Sequence, residues 1–325
     1  MKRFRSAVVF GKFWPLHIGH LRLIGEAIAA SEHVIVAVDD GTEDVRTELR
    51  VAWVTEAFPT VEVVTAPDLC GHDTSDCTPA CSERYAAWLT DAHGTVDAVF
   101  AGESYGDLLA SCLGAGYVRL DRDRLPAAGR EIRADLIGHW NLLAGPSRAW
   151  YCRRVAIVGA ESTGTTTLAS DLARRLGTVW VPEYGRVFTE EHGLSHEWTS
   201  TDFEHIAHRQ MEMEHEAARR SGPVLVCDTD VLATALWHER YLGCRSKVVE
   251  QMASQRRPHL YVLTADDIAF VQDGLRDGEH LRGWMTQRFR ETLAGAGVPW
   301  LEVRGGRQQR VEQVVGGITE HLGAA

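Results

Sequence analysis

Val8-Val9-Phe10-Gly11-Lys12-Phe13-Trp14-Pro15-Leu16-His17-Ile18-Gly19-His20 is the stretch from which the fold of this chain follows. The apolar run Ala7 to Phe10 has the length of a short buried strand. Gly11 ends it, and Pro15 bars early continuation as helix. Further on, Leu21, Ile24, Ala27 and Ile28 repeat with helical spacing. A strand, a glycine turn and a helix start together direct backbone N–H groups at an anion. His17 and His20 are three residues apart and share one face of that helix. Gly19 between them lets a ligand approach the backbone closely. The pattern suits a phosphate whose charge changes during reaction.

Outward from this stretch, strands and helices alternate. Candidate strands are Ala7–Phe10, Val34–Val38, Val61–Thr65, Ala98–Ala101 and Tyr117–Leu120, with helical patterns such as Thr47–Phe58 and Ser82–His93 between them. The rhythm resets near the turn signal Gly145-Pro146-Ser147. It resumes with strands at Arg154–Val158, Val224–Cys227, Leu260–Leu263 and Trp300–Val303, separated by helical patterns at Thr201–Arg220, Val231–Tyr241, Glu279–Ala294 and Gln308–Leu322. This βαβ rhythm predicts an α/β protein of two parallel-sheet domains, residues 1–147 and 148–325, with helices on both sheet faces.

Composition narrows the function classes. The 325 residues are 45% hydrophobic and 24% charged, with a net charge of -11. An acidic balance of this size argues against a general nucleic-acid binder. No apolar run approaches a membrane span, and Ala7–Phe10 is too short for the core of a signal peptide. Seven cysteines, an odd number, read as reduced thiols of a cytoplasmic protein. Cys70, His72, Cys77 and Cys81 cluster, but their spacing fits no common zinc pattern, so they read as a plain loop.

The second half opens on another phosphate motif. Gly159-Ala-Glu161-Ser162-Thr163-Gly164-Thr165-Thr166 has a P-loop frame after an apolar strand, with amides that can cradle phosphates. Thr166 stands where a Mg²⁺-binding hydroxyl belongs. Thr165 stands where the P-loop lysine belongs, so Arg186, Arg276 or Arg282 must supply that charge in three dimensions if catalysis is retained. Val224-Leu-Val-Cys-Asp228-Thr229-Asp230 has the form of a Walker-B strand ending in carboxylates that handle Mg²⁺. Glu183-Tyr184-Gly185-Arg186 follows a short apolar strand, and Asp273-Gly274-Leu275-Arg276 precedes an arginine-rich helix as a mobile lid would. Asp228 is read as proton acceptor or Mg²⁺ ligand, with Glu183 as the alternative base. Asp230 is read as a ribose contact or as the cap of the following helix. Trp180, Trp198, Trp237 and Trp284 read as packing residues.

Gly11-Lys12-Phe13-Trp14-Pro15-Leu16-His17-Ile18-Gly19-His20 resembles the HxGH signature of the nucleotidylyltransferase superfamily, and its wording is similar to that of the NadR family. The resemblance implies NAD biosynthesis: adenylyl transfer from ATP to nicotinamide mononucleotide, giving NAD and pyrophosphate. It implies that His17, His20 and Lys12 contact phosphates, with nucleotide contacts along Gly11, Phe13 and Gly19. Ala128-Gly-Arg130-Glu-Ile-Arg133 resembles the superfamily's Ser-x-Thr-x-x-Arg signature; Arg133 matches, whereas Ala128 and Arg130 replace the hydroxyl residues. Glu103 and Tyr105 fall in a segment resembling the family's nicotinamide-nucleotide pocket. The motifs of the second half resemble, in the same order, the ribosylnicotinamide kinase half of NadR proteins. They imply MgATP-dependent phosphorylation of nicotinamide riboside, with nucleotide contacts along Gly159, Glu161, Ser162, Thr163, Gly164, Thr165, Thr166 and Thr167. Tyr184, Arg186, Asp230 and Arg276 are then the substrate contacts, and Thr166 with Asp228 the Mg²⁺ ligands.

NadR proteins of enteric bacteria carry an N-terminal helix-turn-helix. Here the first strand begins at Ala7, so no DNA binding is expected. The expected partners are small molecules alone: ATP, nicotinamide mononucleotide and nicotinamide riboside. A homo-oligomer is compatible with this reading. Three functional readings stand at this level: an enzyme active at both sites, an adenylyltransferase whose kinase-like half only binds nucleotide, and a catalytically weak nucleotide-sensing regulator.

Overall fold

The structure, a computed structural model, describes residues 2–41, 44–71, 78–121, 128–193, 195–274 and 276–323. The chain divides into two compact units, Met1–Ser147 and Arg148–Ala325. His72 and Cys77 of the cysteine cluster lie outside the described residues.

The first unit is built on β1 (Phe4–Gly11), α1 (Ile18–Ala30), β2 (Ser31–Asp39), α2 (Thr47–Ala57), β3 (Glu62–Ala66), α3 (Pro79–His93), β4 (Ala98–Ala101), α4 (Tyr105–Leu113), β5 (Gly116–Arg119) and α5 (Gly129–Ala134). Its five strands run in the order β3-β2-β1-β4-β5, all parallel. β1 is central because Ala7, Val8, Val9 and Phe10 are all buried, so both of its faces need cover. Val8 and Phe10 join Ile35, Ala37 and Val99 in a core closed by Tyr85, Ala86 and Leu89 of α3 and Leu109 of α4.

The second unit comprises α6 (Gly145–Tyr151, which begins in the first), β6 (Arg153–Val158), α7 (Thr165–Leu176), β7 (Trp180–Val181), α8 (Tyr184–His192), α9 (Ser200–Ala218), β8 (Val224–Asp228), α10 (Val231–Leu242), α11 (Lys247–Gln255), β9 (Leu260–Thr264), α12 (Arg282–Ala294), β10 (Trp300–Val303) and α13 (Arg307–Leu322). The strand order is β10-β9-β6-β8-β7, again all parallel. Residues alternate between faces with the strand period of two. Val155, Ile157, Val226 and Val262 pack with Leu168 and Leu172 of α7 and Val314 of α13. Ala156, Val158, Tyr261 and Leu263 pack with Leu236 of α10 and Phe289 of α12.

In each sheet the strand order reverses direction at the central strand, β1 or β6. The crevice at the carboxyl ends of such strands is where open α/β sheets bind ligands. Both glycine turns begin there. Among the described residues, no helix is long and apolar enough to cross a membrane.

Candidate functional site

In the first unit the helix begins at Ile18, so His17 is its cap rather than part of its face. The buried face is Gly19, Leu23, Ile24 and Ala27, with Leu23 in place of the expected Leu21. His17 is buried, and its Nδ1 accepts the Gly19 N–H at 3.0 Å. In the neutral ring the proton therefore sits on Nε2, which is the donor nitrogen. That nitrogen faces the start of α5: a Cβ on Gly129 would stand 3.4 Å from it and 3.5 Å from a guanidinium nitrogen of Arg133. Arg133 donates to the Trp14 carbonyl at 2.7 Å and lies 4.4 Å over the Trp14 ring. The His20 ring stands 3.9 Å from His17 and 4.9 Å from Phe13. Two sequence-distant motifs thus meet, with His17, His20 and Arg133 gathered at one helix N-terminus.

Neighbouring side chains hold this turn. Tyr105, read as a substrate contact, spends its hydroxyl on the Phe10 carbonyl at 2.5 Å. The Glu103 carbonyl accepts from the Tyr117 hydroxyl at 2.9 Å, which fixes the end of β4. The Lys12 carbonyl accepts from Arg50 at 2.7 Å. Arg50 is fully buried and also donates to the Val45 carbonyl and the Thr47 hydroxyl. The α5 N-terminus has no hydroxyl cap at Ala128; the Glu131 carboxylate accepts the Ala128 N–H at 2.7 Å instead, half of a capping box. Arg130 is exposed in its first turn.

In the second unit the loop between β6 and α7 wraps so tightly that a Cβ on Gly159 would lie 2.2 Å from the Thr264 hydroxyl; only glycine fits. Thr163 is buried, and its hydroxyl is shared between Thr264 at 2.7 Å and the Ala160 carbonyl. It is a brace rather than a phosphate donor. Arg310, also buried, donates to the carbonyls of Thr163, Gly305 and Ala265 and to Asp267. Glu161 accepts from Arg240 at 2.7 Å and from the Gly278 N–H at 2.8 Å. Thr167 is exposed on α7.

A cleft opens beside this loop, lined by Gly159, Ser162, Thr165, Thr166, Glu183, Arg186 and Arg276 together with the aromatic side chains of Trp198, Phe203, Trp237 and Tyr241. The Trp198 ring lies 4.9 Å from Tyr241 and 5.0 Å from Phe203. Trp198 and Trp237 pack against the core, as read from the sequence, and also line the cleft. Asp228, at the end of β8, is 2% exposed. Burial pushes its carboxyl up to about 6, against hydrogen bonds from the Thr166 and Thr165 hydroxyls that favour the anion. Glu183 is pushed up to about 8 by burial and then by the Asp228 carboxylate, with Arg186 pulling the other way.

The three arginines proposed from the sequence divide. Arg276 lines the cleft and donates to the Ser162 hydroxyl at 3.2 Å. Arg186 also lines it and pairs with Glu190 and with Asp273, both at 3.1 Å. Arg282 is turned onto the Ser162 and Ile268 carbonyls. Two substrate readings are corrected. Asp230 caps α10, accepting the Ala233 N–H at 3.0 Å and the Tyr261 hydroxyl at 2.6 Å, so its carboxylate is used inside the fold. Tyr184 is not among the cleft-lining residues; its hydroxyl meets His205 at 3.3 Å.

Backbone strain marks the same places. Among the described residues, the non-glycine positions with positive φ are Phe13 (51°), Ser162 (58°) and Thr229 (88°). Phe13 lies in the first turn, Ser162 in the second, and Thr229 lines the cleft. Such conformations cost roughly 1–3 kcal/mol each and persist where the surroundings over-determine them.

Known proteins match this architecture. A family model described as an AAA domain matches residues 154–310. The "Trifunctional NAD biosynthesis/regulator protein NadR" of Salmonella typhimurium is 25% identical over 295 residues, covering 83% of this chain and 71% of that protein. The crystal structure of a NadR protein in complex with NR superposes with a TM-score of 0.75 at 20% identity, covering 99% of this chain and 97% of that one. A NadR structure in complex with NAD and AMP-PNP gives a TM-score of 0.71 at 20% identity, covering 100% and 98%. This chain is related to the NadR proteins in sequence and shares their fold across both of its units.

Proposed function

We propose that this protein makes NAD in two steps, each in its own unit. The first unit transfers the adenylyl group of ATP to nicotinamide mononucleotide; the second phosphorylates nicotinamide riboside with MgATP. The observation that carries the reading is the meeting of His17 Nε2, His20 and Arg133 at the start of α1, behind the central strand. The relative's role in NAD biosynthesis and the NR, NAD and AMP-PNP held by NadR structures support it.

In the first step a phosphate oxygen of the mononucleotide attacks the α-phosphorus of ATP. A P–O bond forms to the incoming phosphate, and the bond to pyrophosphate breaks. Negative charge builds on the α-phosphate oxygens. Donors already aimed at that position stabilise it without reorganising, and His17 Nε2–H, His20 and Arg133 are such donors. The Gly19 N–H on Nδ1 keeps His17 in the donating tautomer.

In the second step the 5′-hydroxyl of the riboside attacks the γ-phosphorus of ATP; a P–O bond forms to the riboside oxygen, and the bond to ADP breaks. Glu183, pushed up to about 8, takes the hydroxyl proton when ionised, a fraction that grows as pH rises toward 8. Arg276 brings to the loop the positive charge that Thr165 lacks. The Trp198–Tyr241 wall gives a flat ring a place to stack, with the cationic pyridinium favoured by the ring faces. Thr166 and Asp228 are hydrogen-bonded oxygen donors and fit a hard cation such as Mg²⁺. When bound, that ion supplies charge neutralisation at the phosphates.

A second reading rests on Thr165. Its hydroxyl is spent on Asp228, which suits a kinase-like unit that binds nucleotide without turnover. Purified protein is given MgATP with nicotinamide riboside and, separately, MgATP with nicotinamide mononucleotide. NAD from both substrates upholds the proposal; NAD from the mononucleotide alone replaces it with the second reading. No NAD from either sinks both.

A further inference from the structure

A pair of thiols lies outside both candidate sites. Cys70 follows β3, in a turn where Asp68 Oδ1 accepts the Cys70 N–H at 3.1 Å and the Gly71 N–H at 2.7 Å. Cys81 sits in the first turn of α3, whose cap is Thr78. The two side chains are in hydrogen-bond contact. The Thr78 hydroxyl donates to the Cys81 sulfur at 3.2 Å, and Arg84 donates to it at 3.7 Å. The Arg84 guanidinium also hydrogen-bonds Cys70, so the same exposed cation faces both sulfurs. We propose that Cys70 and Cys81 are a redox modification site that closes reversibly to an intramolecular disulfide under hydrogen peroxide.

Burial alone would raise the Cys81 thiol, but hydrogen bonds from Cys70, Thr78 and Arg84 bring it down to about 6, so at neutral pH it is mainly thiolate. A helix N-terminus acts in the same direction. Cys70 is partly exposed and Cys81 is 1% exposed, so the oxidant meets Cys70 first. The Cys70 sulfur attacks a peroxide oxygen, the O–O bond breaks, and water leaves with the thiol proton, giving a sulfenic acid. The Cys81 thiolate then attacks the Cys70 sulfur. The S–S bond forms, the S–O bond breaks, and hydroxide departs to be protonated. Overall, two thiols and one peroxide give one disulfide and two waters. A divalent metal is the competing occupant of a cysteine pair, and the Arg84 cation facing both sulfurs opposes it. Among the described residues no group of three or more metal-binding side chains is assembled.

The bond fastens the turn after β3 to the start of α3. There the Tyr85 hydroxyl already donates to Asp39 at 3.1 Å and accepts the Leu69 N–H at 3.4 Å, at the carboxyl edge of the first sheet.

The test treats the full-length protein with hydrogen peroxide, blocks residual thiols and maps the peptides by mass. A Cys70–Cys81 linked peptide that dithiothreitol reverses is expected. Cys81→Ser should leave a Cys70 sulfenic acid that dimedone traps, and Arg84→Gln should slow bridging about tenfold by removing the cation. A double variant of the exposed Cys112 and Cys244 should bridge as the parent does. The proposal is overturned if no linked peptide forms while Cys112 and Cys244 oxidise. An equivalent of zinc in the purified protein that must be chelated before either thiol reacts overturns it equally.

Discussion

Behind β1, on the proposed function, charge for a phosphate comes from side chains beside the turn itself, His17 and His20, joined by Arg133 from α5. Behind β6 the turn carries one charged side chain, Glu161, which is paired with Arg240, and the carboxylates Asp228 and Glu183 lie close by. Cations reach that loop from elsewhere in the chain: Arg240 on Glu161, Arg282 and Arg310 on its carbonyls, and Arg276, paired with Asp273, on the Ser162 hydroxyl, in a segment hydrogen-bonded onto the loop at Val271 and Gly278. The sheets are alike in direction and in the place of their central strand, so on that reading the fold sets where a phosphate goes. It leaves open which element carries the charge. A turn that holds its own donors is preorganised whatever the rest of the chain does. A turn that borrows them works only when the lending segment is closed.

The largest effect should come from the self-sufficient turn. His20→Ala should lower NAD formation from nicotinamide mononucleotide by about 10³-fold in kcat, the upper end for removal of one transition-state donor. Riboside phosphorylation should be unchanged. Equal loss of both activities in a folded variant, measured in parallel coupled assays, would break the comparison.

Next is the borrowed charge. Arg276→Ala should lower riboside phosphorylation about 10²-fold, and adenylyl transfer not at all. Thr165→Lys restores a cation within the loop, next to Asp228. In that background Arg276→Ala should cost much less, a positive coupling in a double-mutant cycle. Strict additivity would show that Arg276 does not stand in for the lysine.

The carboxylates make a pH prediction. In the unfolded chain Asp228 and Glu183 ionise near 3.8 and 4.5; in the fold they keep their protons up to about 6 and about 8. The folded state binds more protons between these limits, so stability is highest at the acidic end of that window and falls as pH rises from about 4 to about 8. Asp230 at about 6 and Glu214 at about 7, raised chiefly by burial, add the same sign. Asp228→Asn should raise stability at pH 7 by on the order of 1–2 kcal/mol and flatten the slope. Denaturant melts of the two proteins at a series of pH values check this. A steeper slope in the variant would refute the assignment of the raised carboxyl.

Both glycine turns were legible because their chemistry is contiguous: strand, turn and helix start occupy about a dozen residues each. So was the parallel architecture, because strands such as Val34–Val38 and Leu260–Leu263 are apolar on both faces. The residues that hold the turns were not legible. Arg50, Arg240 and Arg310 reach partners 38, 79 and 147 residues away, and nothing next to them in sequence marks them. The helices α8 and α11, nine residues each, fell outside the long helical patterns. Asp230 was read as capping or binding, and the Tyr261 hydroxyl that completes its coordination comes from another strand. Trp198 and Trp237 do pack, but their place on the cleft was not legible, because an aromatic cleft wall and an aromatic core have the same composition.

The smallest effect tests that aromatic wall. Trp198→Ala should raise the KM for nicotinamide riboside about tenfold, since one ring face over a cation is worth roughly 1 kcal/mol or more once water is excluded. The kcat should change little, because the proposed role of the ring is to hold the pyridinium and it brings no charge to the phosphates. Trp198 also packs on Phe203 and Tyr241, so loss of packing must be separated from loss of binding. Trp198→Phe keeps a ring in place and should recover most of the affinity. A merely structural role would lower the melting temperature and kcat of the alanine variant together and leave KM where it was. In the first unit no such wall has been assigned, and adenylyl transfer should be indifferent to this substitution. If mononucleotide turnover falls with riboside affinity, the aromatic pole does not belong to the second site alone.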